Sequence, residues 1–236
     1  INNAACGCIY NYTEQMKSGF ITVGNVIRIG IAGEYVTSGG EVVTIKNITS
    51  INIRIPHVIV GCADFVVKNL LFSSLHSTLL FSKPGFGKTT MLRDIATTLG
   101  KTKNLNVLVF DERNEICAID GKGNGFDLGS RVDVIRCYHK KSAIASAIRA
   151  MKPEVIITDE LYGDEDTEAV KYAVDCGICV IASSHTEQED YLKSLPFEYY
   201  VKLTGVGSQP IIYDKDFNTY RCGGVDNFDR SISVGE

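Results

Sequence analysis

From residue 78 onward, apolar runs of strand length alternate with longer amphipathic stretches. Thr78-Leu79-Leu80-Phe81 is followed by a helical stretch over about 88–99, which Gly100 is expected to end. Further apolar runs lie at 106–110, 154–158 and 178–182, with helical stretches at 142–151 and 165–176 between them. Short apolar runs interleaved with helices predict an α/β fold with a mostly parallel sheet covered on both faces. The flanking segments read differently. Phe20-Ile21-Thr22-Val23, Val26-Ile27-Arg28-Ile29-Gly30-Ile31-Ala32, Glu41-Val42-Val43-Thr44-Ile45 and residues 48–55 alternate apolar and polar positions, broken by turns such as Ser38-Gly39-Gly40. This pattern predicts a small α+β domain of mainly antiparallel strands over 1–65, with the larger domain over 66–236 and the boundary between Pro56 and Leu75. Residues 199–203, 210–213 and 219–221 read as further strands, the last two forming a C-terminal β-hairpin across 214–218.

Composition narrows the classes. The 236 residues are 44% hydrophobic, enough to bury a core in one large domain with a smaller one beside it. The formal charge is −4 with both signs interspersed, so no basic face is visible and no specific nucleic acid is expected as a partner. No apolar run approaches the length of a membrane span, and no signal-peptide pattern is present. The chain opens at Ile1 rather than Met, and an N-terminal piece ahead of it is expected. Eight scattered cysteines read as reduced thiols, which predicts a cytoplasmic protein.

The chemistry concentrates at Pro84-Gly85-Phe86-Gly87-Lys88-Thr89-Thr90, between a predicted strand and a predicted helix. That is the context of a phosphate-binding P-loop. Gly85 and Gly87 let backbone N–H groups turn toward phosphate oxygens, and the helix N-terminus adds its positive end. Lys88 is expected to reach the β- and γ-phosphates of ATP, and the Thr89 hydroxyl to ligate Mg²⁺. Ser82 occupies the first glycine position of the consensus, which requires a backbone conformation open to a residue with a Cβ. Val155-Ile156-Ile157-Thr158 ends in Asp159-Glu160 and suits a Walker B strand, with Asp159 holding Mg²⁺ and Glu160 polarising a water. The strand at 106–110 ends in Asp111-Glu112-Arg113-Asn114-Glu115, and carboxylates at strand C-termini in open α/β sheets face the ligand crevice. A second strand-tip group is His185, placed to sense a γ-phosphate; a lone histidine there is also compatible with an ordinary loop hydrogen bond.

Taken together, Gly85 to Asp94, Val109 to Ile116, Gly129 to Val134, Ile148 to Ile156 and the upstream runs at 19–22, 28–33 and 50–55 resemble the stage III sporulation protein AA family over nearly the whole chain. That family is similar to the ATPases of type II and type IV secretion and pilus machines. The resemblance implies a RecA-like, AAA+-related core, a homo-hexameric ring, and peripheral work at the inner face of a membrane with channel proteins of endospore formation. It also implies that Asp111, Glu112 and Glu115 form an acidic box with Glu112 or Asp111 as the catalytic carboxylate, that Asp159-Glu160 is the Walker B element, and that His185 is a histidine box. Arg54, Arg131 and Arg149 match arginines associated with the family and are candidates for charge supplied to a neighbouring subunit. Ser82-Lys83 departs from the more usual Gly-Pro, and Tyr162-Gly163 from Gly-Arg; nucleotide binding is expected to survive both. Cys176-Gly177-Ile178-Cys179 has zinc-site spacing without a second pair, so a structural role is expected, as for Cys6-Gly7-Cys8. Three functions compete: a motor ATPase, a nucleotide-binding scaffold that does not hydrolyse, and a nucleic-acid translocase.

Overall fold

The computed structural model of the chain describes residues 9–23, 27–119, 125–137 and 140–220. Cys6-Gly7-Cys8, Val26 and the end of the last predicted strand at Arg221 lie outside the described residues.

Three antiparallel strands, β1 (Phe20–Val23), β2 (Ile27–Ser38) and β3 (Glu41–Arg54), form a small sheet in the order β1-β2-β3. Ile21, Ile29, Ile31 and Ile45 turn to one face and bury themselves with Met16 of α1 (Thr13–Lys17). Two predicted strands, at 41–45 and 48–55, are one long strand here. The chain stays paired through the break because a register shift between Ala32 and Glu34 absorbs the irregularity, with Asn47 opposite it at φ +48°. Gly33 sits in that shift, where a Cβ would lie 2.8 Å from the Lys46 carbonyl.

The larger sheet has seven strands in the order β10-β9-β4-β8-β7-β5-β6. They are β4 (Thr78–Phe81), β5 (Val107–Phe110), β6 (Val132–Ile135), β7 (Val155–Thr158), β8 (Cys179–Ser184), β9 (Tyr199–Lys202) and β10 (Ile211–Asp214). All pair in parallel except β10, which runs antiparallel to β9. Every residue of β4, β5, β7 and β8 is buried, because helices cover both faces. On one face, Leu80, Val107, Val109, Val155 and Ile181 pack with α3 (Lys88–Thr102) and with Ala63, Val66, Val67, Leu70 and Leu71. Those last residues belong to or flank the short α2 (Asp64–Val66) and its π-helical continuation (Val67–Leu71), so the predicted boundary at 65/66 falls inside a helical segment packed on the large sheet. On the other face, Leu79, Phe81, Leu108, Phe110, Ile156 and Val180 pack with α4 (Lys140–Met151) and α5 (Gly163–Asp175). A short α6 (Glu189–Ser194) precedes β9.

Two further features differ from the pattern-based expectation. Helix α3 continues through Gly100 to Thr102; the glycine is there for space, since a Cβ would stand 2.3 Å from Val132. Strand β6 was hidden in the long connection after residue 120, because an edge strand is only half-buried and Val132-Asp133-Val134-Ile135 carries a charge in its middle. At the other edge the predicted C-terminal turn is present: Asp214 accepts the N–H groups of Asp216 and Asn218, and Thr219 bridges back to Tyr213. Among the described residues, no helix is long and apolar enough to cross a membrane.

Candidate functional site

Parallel pairing brings the C-terminal tips of β4, β8, β7 and β5 to one edge, with Phe81 beside Ser184, Ala182 beside Thr158, and Thr158 beside Phe110. Every loop that carries a predicted site carboxylate, lysine or histidine leaves the sheet at that edge. Strand β8 stands between the glycine-loop strand β4 and the acid-tipped strand β7, and β5 lies beyond β7.

The glycine loop spans 82–87 and delivers Lys88 as the first residue of α3. Gly85 and Gly87 have φ of +84° and +92°, and open space surrounds the position of a Cβ at each. Backbone conformation, not crowding, therefore demands glycine at both. Ser82 is buried and is not among the residues with positive φ, so the missing consensus glycine costs no backbone strain.

Lys88 is 5% exposed, and its ammonium donates to Ser82 O at 2.7 Å, Ser82 Oγ at 3.2 Å and Lys83 O at 3.1 Å. It also lies 2.8 Å from His185 Nδ1, which must be the acceptor because an ammonium has only donors. Burial lowers the lysine's pKa, and the carboxylates of Asp159 and Glu160 partly oppose that. The Thr89 hydroxyl donates to Asp159 Oδ2 at 3.0 Å, joining the first turn of α3 to the tip of β7. Asp159 Oδ1 accepts the Ser183 hydroxyl at 2.6 Å and the Glu160 N–H at 3.0 Å. The Thr90 carbonyl accepts the Cys62 thiol at 3.8 Å, and Phe86 is partly buried against the core cluster to which α3 contributes.

Glu160 sits at φ +34°, a conformation that residues with a Cβ rarely adopt. Its carboxylate pairs with Arg113 at 2.7 Å and faces His185 Nε2 at 3.7 Å. Glu160 and Arg113, together with Glu112, Asp159, Tyr162 and Asp166, line a cleft of about 490 Å³. Gly163, where the resemblance led one to expect arginine, opens α5 at φ +75°.

The acidic run after β5 divides by role. Glu112 is partly exposed in the cleft, 3.9 Å from Lys140. Asp111 is 1% exposed, and its two oxygens accept the backbone N–H groups of Glu115 and Cys117 at 2.8 and 2.7 Å. That geometry organises the loop and leaves its carboxylate no free face toward the cleft. Glu115 points away, toward Arg28 at 4.0 Å and Arg54 at 3.8 Å on the small sheet.

The structure does not bring Arg131 and Arg149 to this edge of their own chain. Arg131 precedes β6 and donates to the Asn106 side chain at the feet of the strands, about 13 Å of strand from the acidic tip. Arg149 lies in the last turn of α4, which descends to the same foot before β7 begins.

Several participants escaped sequence reasoning. Arg113 and Ser183 stood inside runs already singled out, so position relative to the strand tips was the available signal. Arg93, 3% exposed, donates to Ile116 O at 2.7 Å, Glu115 O at 2.5 Å and His57 O, and stacks over Phe126. Beside it, Asp94 accepts the Ala63 N–H at 2.8 Å, so α3 clamps both the acidic loop and the connection from the small sheet. Lys140 had no motif to mark it. Cys179 is buried and its thiol is pushed up to about 12, which disfavours the thiolate a metal or redox site needs and fits its structural reading.

A mostly parallel sheet with one strand between the glycine-loop strand and the acid-tipped strand, and a lysine-threonine helix start facing those acids, defines a P-loop α/β fold of the RecA-like kind. The solved structures agree on the fold: the Legionella pneumophila ATPase DotB matches with a TM-score of 0.56 at 16% identity, over 85% of this chain and 62% of that one. The Yersinia pseudotuberculosis ATPase DotB matches with a TM-score of 0.55 at 15% identity, over 92% of this chain and 63% of that one. This chain thus spans less than two thirds of those proteins. The chain belongs to the family described as Sporulation stage III, protein AA, whose model matches residues 3–216. It is 35% identical over 227 residues to Stage III sporulation protein AA of Bacillus subtilis (strain 168), covering 89% of this chain and 74% of that one. It is also 30% identical to the uncharacterized protein ycf45 of Cyanidium caldarium over 59% of this chain and 42% of that one.

Proposed function

We propose that the chain is a Mg²⁺-dependent ATPase that acts as the motor of a secretion-type assembly in sporulation. The observation that carries this reading is the 3.0 Å bond between Thr89 and Asp159, which joins the helix start of the glycine loop to the acidic tip of β7 across 70 residues of sequence. A hydroxyl and a carboxylate side by side are hard oxygen donors suited to Mg²⁺, and they are the residues that would hold it. When bound, Mg²⁺ neutralises charge on the phosphates and orients them.

The chain's own residues do the rest. Backbone N–H groups of 85–89 and the N-terminus of α3 bind phosphate oxygens, with Gly85 and Gly87 permitting the turn. Lys88 exchanges its contacts with the Ser82 and Lys83 carbonyls for the β- and γ-phosphates. Glu160 orients the attacking water and takes its proton, and Glu112 across the cleft is the alternative base. His185, between Lys88 and Glu160, couples the phosphate contact to the base. Asp111 serves by shaping the loop that presents Glu112.

Charge from a neighbouring subunit completes the site in a homo-hexameric ring, with Arg54, Arg131 and Arg149 as donors, the latter two acting only in trans. Membership of the sporulation family supports work beside membrane channel proteins at the inner face of a membrane. The test is release of phosphate from ATP by the full-length protein, with Mg²⁺ and with a chelator, across a range of protein concentrations. Turnover that needs Mg²⁺ and Lys88 and rises in specific activity with concentration is expected. A second reading, a nucleotide-gated scaffold, is favoured by one contact: Arg113 holds the Glu160 carboxylate at 2.7 Å. Tight Mg-ATP binding without turnover, even in assembled protein, would select it.

A further inference from the structure

Lys140 is placed against two local preferences. It stands in the first turn of α4, where the positive end of the helix dipole repels a cation, and its side chain is only 3% exposed. Placements that oppose local energetics mark positions where tertiary structure or function requires the group. Its three donors are all engaged: Glu160 O at 2.9 Å, Asp159 O at 3.2 Å and Asp166 Oδ2 at 2.9 Å. Asp166 Oδ2 also accepts the Tyr162 N–H at 3.0 Å, so the lysine and the aspartate together bracket residues 159–162 from behind. Within that bracket, Glu160 keeps its φ of +34°. The Glu112 carboxylate lies 3.9 Å from the same ammonium. One buried cation therefore touches the backbone of both carboxylates at the tip of β7 and the side chain of the carboxylate opposite.

We propose that Lys140 is a positioning residue of the hydrolytic site: it holds the β7 turn in its unfavourable conformation and draws Glu112 toward Glu160, so that both carboxylates face one water position. The inference rests on the ATPase reading above. Lysine suits the task because its compact ammonium presents three donors as a tripod, whereas a guanidinium holds its donors in one plane.

The experiment measures kcat, KM and nucleotide-binding stoichiometry with Mg-ATP on assembled full-length protein. The proteins are wild type, Lys88→Ala, Lys140→Met, Lys140→Arg, Glu112→Gln and the double variant Lys140→Met/Glu112→Gln. Lys140→Met is expected to keep stoichiometry and KM within about threefold while kcat per bound nucleotide falls about 10²-fold, since misplacing a base lowers the chemical step and leaves binding intact. Lys140→Arg is expected to fall between, about tenfold down in kcat, and the double variant to be no slower than the slower single one. A folded Lys140→Met protein with unchanged kcat, or a loss carried entirely by KM, overturns the inference. Full additivity in the double variant overturns the coupling to Glu112. If Lys140→Met does not fold, Lys140→Arg decides, and wild-type kcat in that protein overturns the inference. Wild-type protein without Lys88-dependent turnover would sink the ATPase reading and this inference with it; Lys88-dependent turnover indifferent to Lys140 sinks this inference alone.

Discussion

The tip of the large sheet and its junction with the small sheet are held by different physics. At the tip, Lys88, Asp111, Lys140 and Ser183 are buried, and their side chains bond to partners between 2.6 and 3.2 Å away, apart from the looser Lys140–Glu112 approach. Low dielectric strengthens such bonds and penalises any that break. At the junction, Arg28 and Arg54 reach Glu115 at 4.0 and 3.8 Å from side chains that remain 40% and 64% exposed. Water and salt weaken those pairs. The connection itself is better anchored, through Arg93 to His57 O and through Asp94 to the Ala63 N–H. The small sheet thus hangs from a firm base by weak lateral contacts, while the edge at the strand tips is internally braced.

That contrast yields graded predictions. Lys88→Ala removes the buried cation at the start of α3, and calorimetric titration with Mg-ATP should detect no tight binding; retained affinity would break the assignment of the tip. Next, Glu160→Gln and Glu112→Gln should bind nucleotide normally yet turn over more slowly. The larger loss, about 10²–10⁴-fold, identifies the base. Equal wild-type rates in both would move the base elsewhere.

Asp111→Ala tests whether that carboxylate is structural. It orphans two N–H groups at about 1–3 kcal/mol each, and a chain of this size loses about 2–4 °C of melting temperature per kcal/mol. Thermal melts should therefore fall by several degrees, and an unchanged melt with abolished turnover would return Asp111 to the catalytic set. The smallest effect belongs to the junction. Arg28→Ala and Arg54→Ala should change stability by about 0–1 kcal/mol, less still at high salt. If Arg54→Ala nevertheless lowers turnover in assembled protein without lowering the melt, its role is toward a neighbouring subunit.

Local pattern carried much of this protein. Continuous apolar runs at β4, β5, β7 and β8 announced strands buried on both faces, and the Gly85-Phe86-Gly87-Lys88-Thr89 run announced its own turn, because φ near +90° at two positions is a demand that only glycine meets cheaply. Adjacent strand tips followed from the parallel α/β pattern, so Lys88, Thr89, Asp159, Glu160, Glu112 and His185 could be gathered on one edge from sequence. What the sequence could not determine was how neighbouring carboxylates divide their work. Asp111 and Glu112 are consecutive and chemically alike, yet one faces two backbone N–H groups and the other the cleft, a choice made by how the loop folds back under Arg93. Edge strand β6 was equally hidden, since half-burial leaves little hydrophobic signature. Lys140 belongs entirely to tertiary structure: its partners lie 19 to 28 residues away, and no local pattern records which distant carbonyls a helix start will meet. The sequence by itself determined the fully buried strands, the helices between them and the chemistry at their ends, because propensity, periodicity and glycine's conformational range act over a few residues. Only the packing of α4 against the tip of β7 decided which charges are buried and where each carboxylate points, because desolvation and donor geometry exist only once distant segments meet.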